Sequence, residues 1–206
     1  TMMYGHIDEP RHWAAHLLQI RALQQRTGGF TEFVPLPFVH MEAPMYLRGQ
    51  SRRGPSFREA VLMHAVARLV FFGYIDNIQV SWVKMGREGV LACLNAGVND
   101  LGGTLMNESI TRAAGAAHGQ EWSPTDIEAL IADAGRSSRM RTTRYDDADP
   151  GQRIKAFNAL ALVEVVNEGA GRLQRDKRLQ PTAVEVIQSD GLLAQAEQVV
   201  LMAACD

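Results

Sequence analysis

The sequence predicts an α/β fold: the second half of a (β/α)8 barrel, about four parallel strands with their helices, followed by a mainly helical C-terminal tail. Three observations carry this. Strand-like stretches at Thr1–His6, Phe30–Phe38, Ile75–Lys84 and Leu101–Thr104 alternate with helix-length segments, the order of successive βα units. In the third stretch Ile78, Val80 and Trp82 alternate with Gln79, Ser81 and Val83, giving the strand two different faces. In the fourth, Gly102-Gly103-Thr104 sits inside a strand pattern, where glycine marks the close approach of another backbone or a ligand. An open sheet would turn the polar face to water, whereas a barrel turns polar residues near the strand ends into its mouth. A complete barrel needs ~250 residues. The chain has 206 and begins inside a motif, so the expectation is a fragment.

Composition narrows the function classes. With 46% hydrophobic residues the chain can bury one ordinary core. A net charge of -2 and a pI near 6.3 give no electrostatic reason to expect nucleic acid or a membrane surface. No apolar run approaches the ~18 residues of a membrane span. Two cysteines, Cys93 and Cys205, cannot form a disulfide framework, and a cytoplasmic setting is expected.

The elements follow in order. Thr1–His6 reads as the end of a buried strand running into a loop, with His6 either a titratable ligand group or an incidental loop histidine. Asp8-Glu9-Pro10 starts a helix, Trp13, Leu17, Leu18 and Ile20 form its apolar stripe, and Gly28-Gly29 ends it. His12 and His16 share the i, i+4 spacing of a metal pair, but Trp13 stands where the zinc-protease motif has glutamate, which favours a solvated helix face. Pro35 and Pro37 predict a strand that breaks near Val34. The loop from Val39 to Gly54 carries Arg48, Arg52 and Arg53, suited to a carboxylate or a polyhydroxylated ligand or simply to solvent.

Ser56 and Glu59 form a capping box for a helix running to about Phe72 and stopping at Gly73. Val90, Leu91 and Leu94 mark a short helix ending at Gly97, with Cys93 as a packing residue. Glu108 reads either as a site carboxylate past a strand end or as a first-turn residue of the next helix. Ser123-Pro124 starts another helix and Gly135 closes it. Beyond Asp146, a helix is expected from Asp149-Pro150 through Ile154, Phe157, Leu160 and Val163 or Val165, with a break at Gly169-Ala170-Gly171. Pro181–Gln188 is ambiguous, and Leu192–Ala204 is expected to be helical.

Three stretches carry a resemblance: T-E-F-V-P-L-P-F, N-I-Q-V-S-W-V-K-M-G and N-D-L-G-G-T-L-M-N-E-S-I. They resemble the C-terminal half of the radical S-adenosylmethionine enzymes that make the deazaflavin FO, in particular the tyrosine-using 5-amino-6-(D-ribitylamino)uracil–L-tyrosine 4-hydroxyphenyl transferase module. Menaquinone-pathway aminofutalosine and dehypoxanthine futalosine synthases share a looser version. The resemblance covers about residues 1–145, the partial barrel. Residues 146–206 form a tail of unknown role. Near the end of the covered region Ser138 and Arg144 stand where the family has proline and leucine.

The resemblance implies a transferase that joins the hydroxybenzyl part of tyrosine to ribityl-aminouracil. It implies S-adenosylmethionine and a [4Fe-4S] cluster as cofactors of the full-length family, the cluster held by a C-x-x-x-C-x-x-C loop that is absent from this chain. It places Tyr4, Gly5 and His6 after the fifth barrel strand and Glu32 and Phe38 beside the sixth. Gln79, Ser81 and Lys84 fall on and after the seventh, and Gly102, Gly103, Thr104, Asn107 and Glu108 on and after the eighth. The glycines would admit backbone to the cofactor, and Lys84 and His6 would neutralise a carboxylate. A menaquinone-pathway synthase, or a non-catalytic half barrel completed by a dimer or partner chain, remain the alternatives.

Overall fold

The computed structural model describes residues 1–105, 108–116, 119–160 and the backbone of 200–204. Its first half is built from short parallel strands that neighbour one another in chain order. Strand β1 (Met2–Tyr4) is followed by helix α1 (Pro10–Thr27), then by β2 (Glu32–Phe33) and β3 (Pro35–Pro37). β1 pairs in parallel with β3, Met2 opposite Pro35 and Tyr4 opposite Pro37. β2 and β3 are one extended run interrupted at Val34, because Pro35 has no N–H to give to a ladder. The short helix α2 (Pro44–Leu47) lies in the following loop, and α3 (Phe57–Phe71) leads to β4 (Asn77–Ile78). β4 pairs in parallel with β2, and a parallel bridge from Gln79 to Asp100 carries the order on to β5 (Asp100–Gly103). Parallel neighbours reached through intervening helices are the signature of βα units.

The helix ends follow their sequence signals. Ser56 Oγ accepts the Glu59 N–H at 3.2 Å, and the Glu59 carboxylate accepts the Ser56 N–H at 2.7 Å, closing the capping box of α3. α1 stops where Gly28 turns left-handed at φ 59°. Helix α4 (Trp82–Asn95) departs from expectation. The strand predicted over Ile75–Lys84 ends early: Lys84 and Met85 already donate to the Ser81 carbonyl. Trp82 therefore starts a helical turn, which is interrupted at Gly86 (φ 63°, ψ -179°), a conformation open in practice only to glycine. The alternation of Ile78, Val80 and Trp82 serves both structures, since Val80 faces the core from the strand and Trp82 from the turn.

Between strands and helices lies one apolar layer. Phe33 and Phe71 pack with tilted rings, centres 4.9 Å apart, and Ile78, Val80, Leu94, Val98, Leu101 and Ile127 are fully buried in the same cluster. Cys93 belongs to the same layer. Short helix α5 (Ile110–Ala113) and α6 (Pro124–Asp133) follow β5, and β6 (Ser137–Arg141) precedes α7 (Pro150–Phe157). The chain closes with β7 (Val200–Ala204), antiparallel to both β5 and β6 and lying between them. This corrects the helix expected to reach Ala204. Val199, Val200, Leu201 and Met202 are contiguous rather than helically spaced, and valine suits a strand whose two neighbours both offer edges. The break at residues 169–171, the segment 181–188 and residues 192–199 lie outside the described residues. No helix among the described residues is long and apolar enough to cross a membrane.

A buried ionic cluster joins the strand starts to the C-terminal segment. Asp100 is fully buried, and Arg141, at the end of β6, is only 2% exposed. Arg141 pairs with the Asp100 carboxylate and lies 3.4 Å from Glu32, at the start of β2. Its guanidinium sits 3.7 Å above the Tyr145 ring, and the Tyr145 hydroxyl bonds Asp100 at 2.6 Å and Glu32 as well. Gln79 Nε2 (3.4 Å) and the Gly102 N–H (2.9 Å) complete the set of donors around Asp100.

Two stability predictions follow from buried polar groups. Replacing Arg141 by Ala strands the fully buried Asp100 carboxylate and should cost about 3–5 kcal/mol in urea unfolding. Arg144→Ala, at an exposed neighbour, should stay within about 0.5 kcal/mol. Equal losses would contradict the cluster's role. His64 is fully buried, its Nδ1 2.7 Å from the Ala60 carbonyl, and burial lowers its pKa to about 4. The unfolded chain therefore takes up this proton first as pH falls. Stability contributed by neutral His64 is complete above about pH 6.5 and is lost toward pH 4, on the order of 3 kcal/mol in all. Unfolding midpoints of wild type and His64→Leu at pH 7 and pH 5 should show a smaller pH loss in the variant. An identical loss would contradict the assignment.

Candidate functional site

The carboxyl ends of parallel strands are where βα architectures gather chemistry, and here two groups of side chains collect there. The first follows β1 and β3. Gly5 has φ 89°, and a Cβ on it would lie 2.3 Å from Pro55 Cδ, so only glycine fits this turn. The turn brings His6 beside Phe38, the two ring centres 5.8 Å apart. Asp8 organises the loop from inside. Its carboxylate accepts the Gly5 N–H at 2.8 Å, the His6 N–H at 3.1 Å and the Trp13 indole N–H. Burial raises the Asp8 carboxyl. The N–H donors of Gly5, Asp8 and His6, with the His6 ring, outweigh that effect and hold it below the ordinary carboxylate range.

Arg52 locks the neighbouring loop. Its side chain donates to the Gly5 carbonyl (3.1 Å) and to Glu59 (3.1 Å), while its backbone N–H donates to the His6 carbonyl (3.0 Å). His6, Asp8 and Arg52 line an open cleft of about 480 Å³ together with Pro10, Gln50 and Ser51.

The second group follows β4 and β5. Lys84 projects from the first turn of α4, where burial pulls its ammonium below the ordinary lysine range and nearby Glu108 opposes the shift. Glu108 has the local role that the sequence left open. Its carboxylate accepts the Ile110 N–H at 3.0 Å and the Thr111 N–H at 3.2 Å, satisfying the start of α5. Trp82 Nε1 donates to the Gly103 carbonyl at 3.0 Å and its ring packs on Trp122 at 5.4 Å. Thr104, next along, is half-buried. The loops of the two groups touch: a Cβ on Gly115 would meet Met41 at 2.4 Å, and the Glu42 N–H donates to the Ala114 carbonyl at 2.9 Å.

Several expected site residues lie elsewhere. Tyr4 is fully buried against Trp13, ring centres 5.3 Å apart, because alternation along β1 turns it to the helices rather than the mouth. Glu32 is drawn to Arg141 at the strand start. Gly102 does not offer a free amide, since its N–H is spent on Asp100 and the Gln79 amide lies 3.2 Å from where a Cβ would stand. Gln79 itself faces Asp100. Ser81 opens the α4 turn with its carbonyl. Asn107 lies outside the described residues. Asp8, Trp82, Asp100, Arg141 and Tyr145 were not singled out from sequence. The i+2 spacing of Asp8 from His6 was the one local signal available.

Of the two cysteines, Cys205 lies outside the described residues, and Cys93 does not fit the cluster implied by the resemblance. Cys93 is completely buried in the apolar layer, and burial pushes its thiol up to about 12, away from the thiolate a metal requires.

The sequence is also similar to known proteins. The sequence model of the CofH/MqnC C-terminal region matches residues 27–154. The FO synthase of Mycobacterium leprae is 54% identical over 145 residues, which cover 70% of this chain and 17% of that protein. The FO synthase of Streptomyces coelicolor is 51% identical over 156 residues, 76% of this chain and 18% of that protein. The 5-amino-6-(D-ribitylamino)uracil--L-tyrosine 4-hydroxyphenyl transferase of Methanopyrus kandleri is 55% identical over 146 residues, 71% of this chain and 40% of that protein. The chain thus spans less than half the length of each of these relatives. With the family match covering most of the parallel strands and the loops that follow them, the chain belongs to the CofH/MqnC C-terminal region family.

Proposed function

We propose that this chain forms the substrate-binding wall of a radical S-adenosylmethionine transferase. The reaction joins the hydroxybenzyl part of tyrosine to 5-amino-6-(D-ribitylamino)uracil in FO biosynthesis. The observation that supports this most is the gathering of ionisable groups beyond adjacent parallel strand ends, His6 and Arg52 on one side and Lys84 and Glu108 on the other. The names and identities of the relatives point to the same reaction. In this reading the parallel strands are the second half of a (β/α)8 barrel, and the rest of the relatives' length supplies the other wall. The cluster and S-adenosylmethionine, which generate the substrate radical in such enzymes, are assigned to no residue of this chain.

The chain's own residues bind and orient. Lys84, half-buried, is a cation at the rim suited to the tyrosine carboxylate, and desolvation there strengthens such a pair. Glu108 holds its charge close by because α5 fixes its carboxylate. Phe38 offers a ring face to an aromatic substrate beside His6. Gly103 and Thr104 lie between these groups in sequence and would contact the ribityl or uracil portion through backbone and a short polar side chain.

The test is a chimera. Residues 1–154 replace the matching region of the Methanopyrus kandleri transferase, and product is followed by mass spectrometry with tyrosine and ribityl-aminouracil. Turnover is expected. A folded, cluster-loaded chimera without product would contradict the reading. In the active chimera Lys84→Met should lower kcat/KM for tyrosine about 10- to 100-fold, the equivalent of one charge-assisted bond. Unchanged kcat/KM would remove Lys84 from substrate binding.

A further inference from the structure

We infer that Asp8 is a positioning residue for His6. It holds the proton of the neutral ring on Nδ1 and leaves Nε2 as the acceptor for a ligand O–H or N–H in the adjoining cleft. His6 Nδ1 lies 2.7 Å from Asp8 Oδ1. A ring lone pair set that close to an ionised carboxylate oxygen is repelled, whereas an N–H there is attracted, even out of line for an ideal bond. The carboxylate is fixed independently of the ring. Both its oxygens take the Gly5 N–H, one also takes the His6 N–H and the other the Trp13 indole. These donors keep Asp8 ionised and immobile whichever way His6 turns.

The other charged groups nearby are committed elsewhere. The Arg52 guanidinium is on Gly5 and Glu59, and the Glu59 carboxylate is on Arg52 and the Ser56 N–H. His6, about one quarter exposed, lines the cleft, so its remaining nitrogen is the ring atom left for a ligand. A hydroxyl-rich or imide-bearing molecule satisfies that acceptor, and a carboxylate or phosphate, with no donor to give, does not. The ligand class rests on the proposed pocket. The tautomer rests on the geometry alone.

The full chain, labelled with ¹⁵N-histidine, gives the test through long-range ¹H–¹⁵N correlations, with His6→Gln identifying the His6 signals. Above the titration of the ring, Nδ1 should show the N–H type of shift and Nε2 the lone-pair type, the reverse of free histidine. Asp8→Ala removes the carboxylate from beside the ring, and the two shifts should then return to the pattern of free histidine. An Nε2–H ring in the wild type overturns the inference without any variant, and so does an unchanged pattern in a folded Asp8→Ala. The readout needs no turnover, so its failure is distinct from failure of the transferase reading.

Discussion

Arg141 is the constraint on which the described structure turns. A guanidinium removed from water needs countercharge and filled donor positions, and Asp100 and Glu32 supply the charge while Tyr145 covers the planar face. The two carboxylates come from β5 and β2, far apart in sequence, and the cation comes from the segment after the last helix of the βα series. Pairing therefore fixes the distance between two parallel strands and docks residues 137–145 in a single act. Removing either Arg141 or Asp100 leaves the other buried with unmet charge, which makes the arrangement specific even where its net contribution to stability is modest.

The molecule divides its polar residues between two ends. At the strand starts, carboxylates, guanidinium, phenol and amide bond chiefly to one another, with the buried Arg141 Nε left without a hydrogen-bond partner. At the strand ends, the polar groups are held by backbone contacts instead: Asp8 by N–H groups of its own loop, Glu108 by the first turn of α5, Arg52 by the Gly5 carbonyl. Such anchoring fixes the backbone from which His6, Lys84 and Phe38 extend, the groups proposed above to meet a ligand. β7 adds a distinct feature, covering the edge of β5 that a closed barrel would give to another parallel strand.

How far this was legible in the sequence depends on the range of the interaction. Local chemistry was readable: the Ser56–Glu59 box, the Gly28 stop, the proline break at Val34 and the Ser123-Pro124 start all lie within a few residues of their effects. The loss of strand after Val80 was not, because Ile78, Val80 and Trp82 satisfy a strand period while the next turn depends on Gly86 adopting a conformation that sequence does not display. Tyr4 misled through its neighbours, since adjacency to Gly5 and His6 hides the alternation that turns it to the core. Arg141 and Asp100 were invisible for the opposite reason. Charged residues read as surface unless a partner is known, and these partners come from separate elements.

The most direct test of this account is a double-mutant cycle on Asp100→Asn and Arg141→Met, with unfolding free energies measured for wild type, both single variants and the double. If the buried pair is what joins the sheet to the C-terminal segment, the double variant should be far less damaged than the sum of the singles. A coupling of about 2 kcal/mol or more is then expected. Additive losses, with coupling below about 0.5 kcal/mol, would mean that the two residues act separately and that the segment is held by other means.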